Sequence, residues 1–176
     1  YTAIAFSWLK KDGYTIPADV EKKLHDYLLN FLRQDAVPDF YQEGMTSTVR
    51  AVALAALARE GKIAADDVQR YAPHLKNMSL FGKAHYLQAA LMFENTKASA
   101  KETVDMIFAA GNETGGKFMF SETLDDGYLR LLATPLRDNC AILSAFLSYG
   151  KTEAGKELIG YKPFKLVRML TQSRES

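Results

Sequence analysis

A chain of 176 residues, 48% of them hydrophobic, is long enough to bury one core and too short for several. Its 22 basic and 21 acidic residues leave a net charge of +1, which excludes the electrostatic footprint of a nucleic-acid or anionic-membrane binder. The longest apolar run, Ala51 to Ala58, is far short of the roughly 20 residues that span a bilayer, and the single cysteine excludes an internal disulfide while leaving the compartment open.

The chain opens on "YTAIAFSWLKK", already inside an amphipathic pattern with no initiator Met, signal peptide or capping residue ahead of it. It closes on "LVRMLTQSRES", a helical pattern running into polar residues, so residues 1–176 read as a single partial domain excised from a longer polypeptide. The first helix carries Ala3, Phe6 and Leu9 at helical spacing and stops near Gly13. Pro17 to Arg33 follows as an outer helix with Val20, Leu24, Tyr27, Leu28 and Phe31 on one face. The same arrangement returns in Ala51, Leu54, Leu57 and Gly61, followed by a short helix from Asp66 to Tyr71 that Pro73 stops. A third copy, Ala84, Leu87, Ala90 and Asn95, precedes Ser99 to Ala110, where Ser99 and Glu102 form a candidate capping box and Val104, Ile107 and Phe108 point inward.

Next comes an insertion, "GNETGGKFMFSETLDDGY", whose glycines break the helix and whose "KFMF" has strand-like side chains. The fourth copy is Cys140, Leu143, Phe146 and Gly150, with Thr134 as cap of a helix starting at Pro135; a weaker pair, Glu153 to Ile159 and Phe164 to Thr171, ends the chain. Serial hairpins of irregular spacing predict an all-α fold: an arc of about four helical hairpins from an α/α toroid, with one short β-hairpin or extended insertion near 115–122.

The residues that could carry chemistry all have ordinary structural readings. Cys140 falls in the slot that Ala3, Ala51 and Ala84 fill, on a stripe with Leu136, Leu143 and Leu147, so it is expected in the core and slow to react with a thiol reagent, although Arg137 lies one turn away. His25, beside Asp26 on a charged face, His74, and His85 on an inner helix occupy separate hairpin elements without HxxxH or HExxH spacing, so no metal site is expected. Asp66 and Asp67 open a helix, where negative charge favours the dipole. Glu43, Glu122, Asp125 and Asp126 are the acids available to a toroidal glycoside hydrolase or lyase, which would need two of them across a cleft lined by aromatics such as Trp8 or Tyr128. Asp125 and Asp126 in "SETLDDGY" match the end of the terpene-cyclase DxDD motif, but Thr123 stands where its proton-donating Asp belongs. No GxSxG, P-loop or GxGxxG occurs, so no catalytic residue and no cofactor are assigned.

"PLRDNCAILSAFLSYGK", "TVRAVALAALAREGKI" and "FGKAHYLQAALMF", taken in order, resemble the α/α-toroid thioester domain of bacterial alpha-2-macroglobulins, periplasmic relatives of complement proteins. The resemblance implies a protease trap, in which cleavage of a bait segment collapses the molecule around the enzyme and, in many members, a Cys–Gln thioester acylates it. That thioester needs a CxEQ motif, and Cys140 is followed by Ala141, Ile142 and Leu143, so Cys140 is not the thioester cysteine. The stretch comparable to that bearing the acyl-transfer histidine of complement relatives, Gly115 to Tyr128, has no His. The expectation is a non-catalytic, structural part of an endopeptidase inhibitor, periplasmic, whose partners are neighbouring macroglobulin domains and, through the parent chain, target proteases, with no nucleic acid and no membrane contact. A toroidal hydrolase or lyase and a helical-repeat protein-binding module are the alternatives.

Overall fold

The structure, a computed structural model, describes residues 1–34 and 37–172, and the Glu43 side chain lies outside what it describes. The α-helices are α1 (Thr2–Lys11), α2 (Ala18–Arg33), α3 (Glu43–Arg59), α4 (Ala65–Gln69), α5 (Leu80–Ala90), α6 (Lys97–Ala109), α7 (Pro135–Tyr149), α8 (Glu153–Ile159) and α9 (Lys162–Gln172). Strands β1 (Gly111–Thr114) and β2 (Lys117–Phe120) form the one sheet among the described residues, and short 3-10 turns cover Ala72–Asn77, Glu94–Thr96 and Asp126–Leu131. The fold is all-α with a short β-hairpin, as the periodicity indicates.

The alternation read from the sequence is also the packing order. Helices α1, α3, α5 and α7 lie side by side in that order, while α2 packs on α3, α6 on α5, and α8 and α9 on α7. The middle of the row is buried nearly all round: nine residues of α5, from Leu80 to Ala90, are buried, and Ala51 and Ala53 to Ala58 are buried in α3. Small side chains make this closeness sterically available. A Cβ added at Gly82 would lie 2.9 Å from the Thr48 Cα, so α3 and α5 meet where only glycine fits. At the same crossing the Ser79 N–H donates to Thr48 Oγ1 over 2.9 Å, and Ser79 Oγ caps α5 by accepting from the Gly82 N–H at 3.2 Å.

The stops of α1 and α3 follow the glycine signal. Gly13 and Gly61 take φ of +88° and +63°. Beyond them Tyr14 N–H donates to Leu9 O and Lys62 N–H to Leu57 O, each at 2.9 Å, which is the Schellman pattern at both ends. The other two stops differ. Gly150 is right-handed at φ −61°, and Asn95 lies in a 3-10 turn beyond a helix that already ended at Ala90. Helix α6 starts two residues before the expected Ser99 cap, with Thr96 ahead of it; Ser99 instead accepts a bond from the Thr103 hydroxyl through its carbonyl oxygen.

The hairpin occupies Gly111–Phe120, inside the insertion read from Gly111 and overlapping the 115–122 expected for it, with β1 starting directly after α6. Gly115 and Gly116, at φ +59° and +72°, form the two-residue turn, with Thr114 opposite Lys117 and Gly111 opposite Phe120. Alternation buries Phe118 and Phe120 while Met119 faces out. Phe108 stacks on Phe146 with ring centroids 4.9 Å apart, and Phe120 meets Phe146 edge-on at 5.4 Å, fastening hairpin, α6 and α7 into one aromatic cluster. Asn139 completes the attachment: its Nδ2 donates to Phe120 O and its Oδ1 accepts from Phe120 N–H, both at 2.9 Å, so a side-chain amide supplies the strand pairing that β2 lacks on that edge.

Two apolar faces differ from their sequence reading. In α2 the packed side keeps Leu24, Leu28 and Phe31 of the expected face and adds His25, Leu29 and Leu32, whereas Val20 and Tyr27 are exposed. In α7 the buried residues are Asp138, Asn139, Ile142, Ala145, Phe146 and Tyr149, one position out of phase with the expected stripe. Leu136 and Leu147 are 48% and 52% exposed, and Cys140 is exposed, not in the core. The cause is Asn139: its bonds to Phe120 turn that residue inward and carry Cys140 one step, about 100°, round the helix. Cys140 is therefore expected to react with a thiol reagent in the folded protein at close to the rate of the denatured chain; labelling that requires denaturant would contradict this placement.

Candidate functional site

An acidic cleft of about 260 Å³ lies where the segment after the hairpin, the 126–131 turn and the start of α7 meet the N-terminus of α5. Leu80, Phe120, Glu122, Asp125, Asp126, Tyr128 and Asp138 are among the residues that line it. The sequence places these residues in separate segments, and the fold unites them because β2 is held on α7 by Asn139 and the chain then crosses the end of α5.

Each acid has a local task. Glu122 Oε1 accepts a bond from Leu80 N–H at 2.7 Å, so a carboxylate from a distant loop satisfies a free donor at the start of α5, where negative charge is favoured. Asp125 Oδ1 accepts from Gly127 N–H at 2.7 Å and caps the 126–131 turn. Asp138 pairs with Arg137 at 2.6 Å, and that guanidinium lies 3.9 Å from the centre of the Phe81 ring. Thr134 Oγ1 accepts from Arg137 N–H at 3.1 Å, the cap the sequence indicates.

Burial sets the protonation of the group. It pushes both Glu122 and Asp138 above the ordinary carboxylate range; for Glu122 the Leu80 N–H opposes the shift, and for Asp138 Arg137 does. Burial lowers nearby Lys83, whose Nζ donates to Met78 O. Tyr128 is raised by burial too, and Gly44 leaves room for its hydroxyl, since a Cβ there would stand 2.5 Å from it. Chemically, then, the cleft offers two carboxyls that hold protons more readily than usual, one on buried Asp138 and one on Glu122, which as a whole residue is exposed like Asp125 and Asp126.

Of the sequence candidates, Glu122, Asp125, Asp126 and Tyr128 share this cleft. Trp8 is 59% exposed on α1 and is not among the lining residues, while Glu43 opens α3 with its side chain outside those described. Asp138 was not singled out in the sequence; its signal was its position one turn inside the Thr134 cap, beside Arg137. Asp66 and Asp67 occupy the first turn of α4, where Asp67 Oδ2 accepts from Ala64 N–H at 2.9 Å. His74 is half-buried with its ring centre 5.9 Å from that of Tyr71. His85 is buried edge-on to Phe81 at 4.5 Å, and its Nδ1 has no hydrogen-bond partner among the described residues. Burial, with Arg59 and Arg137 near, lowers His85 to about 3, which keeps it neutral at physiological pH. His25 is buried at 6% exposure instead of lying on a charged surface.

No family model, no curated protein and no solved structure matches this chain.

A raised carboxyl binds more protons folded than unfolded, so its contribution destabilises the fold as pH rises from the unfolded pKa through the higher folded one. Glu122→Gln keeps an oxygen acceptor for Leu80 N–H without the charge. Relative to wild type, its unfolding free energy in denaturant titrations should rise between pH 4 and pH 7; a constant difference across that range would contradict the raised pKa.

Proposed function

We propose that this chain is a non-catalytic scaffold of helical hairpins, an arc of an α/α toroid in the thioester-domain region of a bacterial alpha-2-macroglobulin-like endopeptidase inhibitor. In this reading it works in the periplasm, packs against macroglobulin domains of its parent chain, and meets target proteases only through that chain. The observation that supports a non-catalytic role most directly is that Glu122, Asp125 and Asp138 are each already engaged in a cap or ion pair that holds the fold. An acid committed to a helix N-terminus is poorly placed to protonate a substrate. The ordered row α1, α3, α5, α7 fits the toroid reading, since an inner wall of that kind is what serial hairpins would build.

One observation favours the hydrolase or lyase alternative: Glu122 and Asp138 share a cleft, and burial raises both. A single experiment separates the two. The protein encoded by the complete gene is incubated with an endopeptidase and assayed on protein and on small peptide substrates. A trap is expected to suppress cleavage of the large substrate and spare the small one, and to do so equally in Glu122→Gln. An unaltered protease, together with glycan or polyuronate breakdown that Glu122→Gln abolishes, would establish the alternative.

A further inference from the structure

At the other end of the row, the C-terminal turns of α1 and α3 lie beside the first turns of α2. Glu21 and His25, four residues apart on α2, share one face, and Glu60 enters from the C-cap of α3. One carboxylate oxygen from each glutamate and a ring nitrogen of His25 all lie within 4.8 Å of one another. His25 is buried at the base of this cluster, so a nearly enclosed imidazole lies beside two carboxylates. Lys10, from the last turn of α1, places its Nζ 2.7 Å from Glu21 and 2.6 Å from Glu60. The cluster thus already holds a positive charge, on a tethered ammonium. Asp26 pairs with Lys22 at 2.6 Å on the exposed side of α2 and is not among the three grouped donors, and Lys62 lies beside the group.

We propose that Glu21, His25 and Glu60 form a binding site for a divalent transition metal of the zinc class, with Lys10 as the internal cation that the metal displaces. An imidazole and two carboxylates make a borderline donor set that suits zinc, nickel or cobalt and not magnesium or calcium, which take oxygen alone. Three protein ligands leave a coordination position for water. The ends of α1 and α3 add the negative pole of two helices, set against the positive pole at the start of α2. Small rotations of the two glutamates, whose backbones are fixed by the Schellman end of α3 and by α2, would bring the three donors from their present spacing to bonding distance. Lys10 is a long side chain on the last turn of its helix and can withdraw without disturbing the core. The sequence hid the site because Glu60 is remote from α2 and because the pairing on α2 is Glu-x-x-x-His, not a two-histidine motif.

The test is calorimetric titration of the folded protein with zinc chloride in a Cys140→Ser background, which removes the exposed thiol as a competing ligand. One equivalent is expected to bind. Lys10→Met should tighten binding, and Glu60→Gln and His25→Gln should each weaken it at least about 10-fold, the scale on which lost support of a metal site is felt. Circular dichroism checks the fold, and should His25→Gln unfold, Glu60→Gln at a helix end decides alone. Zinc bound by neither the Cys140→Ser protein nor its Lys10→Met variant, or binding that Glu60→Gln leaves unchanged, would overturn the assignment.

Discussion

The close crossing of α3 and α5 is the constraint on which the rest of this molecule depends. Gly82 sits where a single methyl would strike the Thr48 backbone, and the alanines on either side let the two helices share a wall without large side chains between them. Once that distance is fixed, other positions follow. Helix α5 is buried on the sides facing α3, α6 and α7, so its polar N-terminus must be satisfied from elsewhere; Ser79, Thr48 and Glu122 supply the partners. A buried donor left unmade there would cost about 1–3 kcal/mol, which gives the loop bearing Glu122 a reason to cross the end of α5.

The outer elements are held by a different kind of bond. Tyr86 Oη donates to Val68 O at 3.0 Å, and Tyr71 Oη donates to Leu32 O, each an aromatic reaching from one element to a carbonyl near the end of another. Arg50 donates to Gln34 O at 2.8 Å with its guanidinium 5.7 Å from the Phe31 ring centre, tying α3 to the end of α2. The β-hairpin is attached through Asn139 and the phenylalanine cluster. Polar groups therefore set the register between layers whose apolar surfaces alone would allow sliding.

How much of this was legible in the sequence depends on whether a feature is local. Helix alternation, the Gly13 and Gly61 stops, the Thr134 cap and the four hairpins rest on spacing and chain geometry within a few residues, and they stand as read. The face of α7 does not, and that of α2 does in part: Asn139 turns α7 from its hydrophobic stripe, while α2 keeps Leu24, Leu28 and Phe31 inward and adds His25, because each meets a partner surface that no local pattern encodes. Cys140 moved outward for that reason. The cleft shows the same division: the acids of "SETLDDGY" were visible as a group, whereas Asp138 joined them only through the docking of β2 on α7. Glu60 beside His25 is the clearest non-local case, brought there by the Schellman turn that closes α3.

If the α3 to α5 crossing governs the fold, the amides of α5 must be released only when the whole domain opens. Native-state hydrogen exchange measures this residue by residue. Amides from Ala84 to Ala90 are expected to exchange as slowly as those in the second half of α3, at the free energy of global unfolding, with α1 and α8 exchanging sooner. Exchange in α5 as fast as in α1 or α8, while α3 stays protected, would contradict the account.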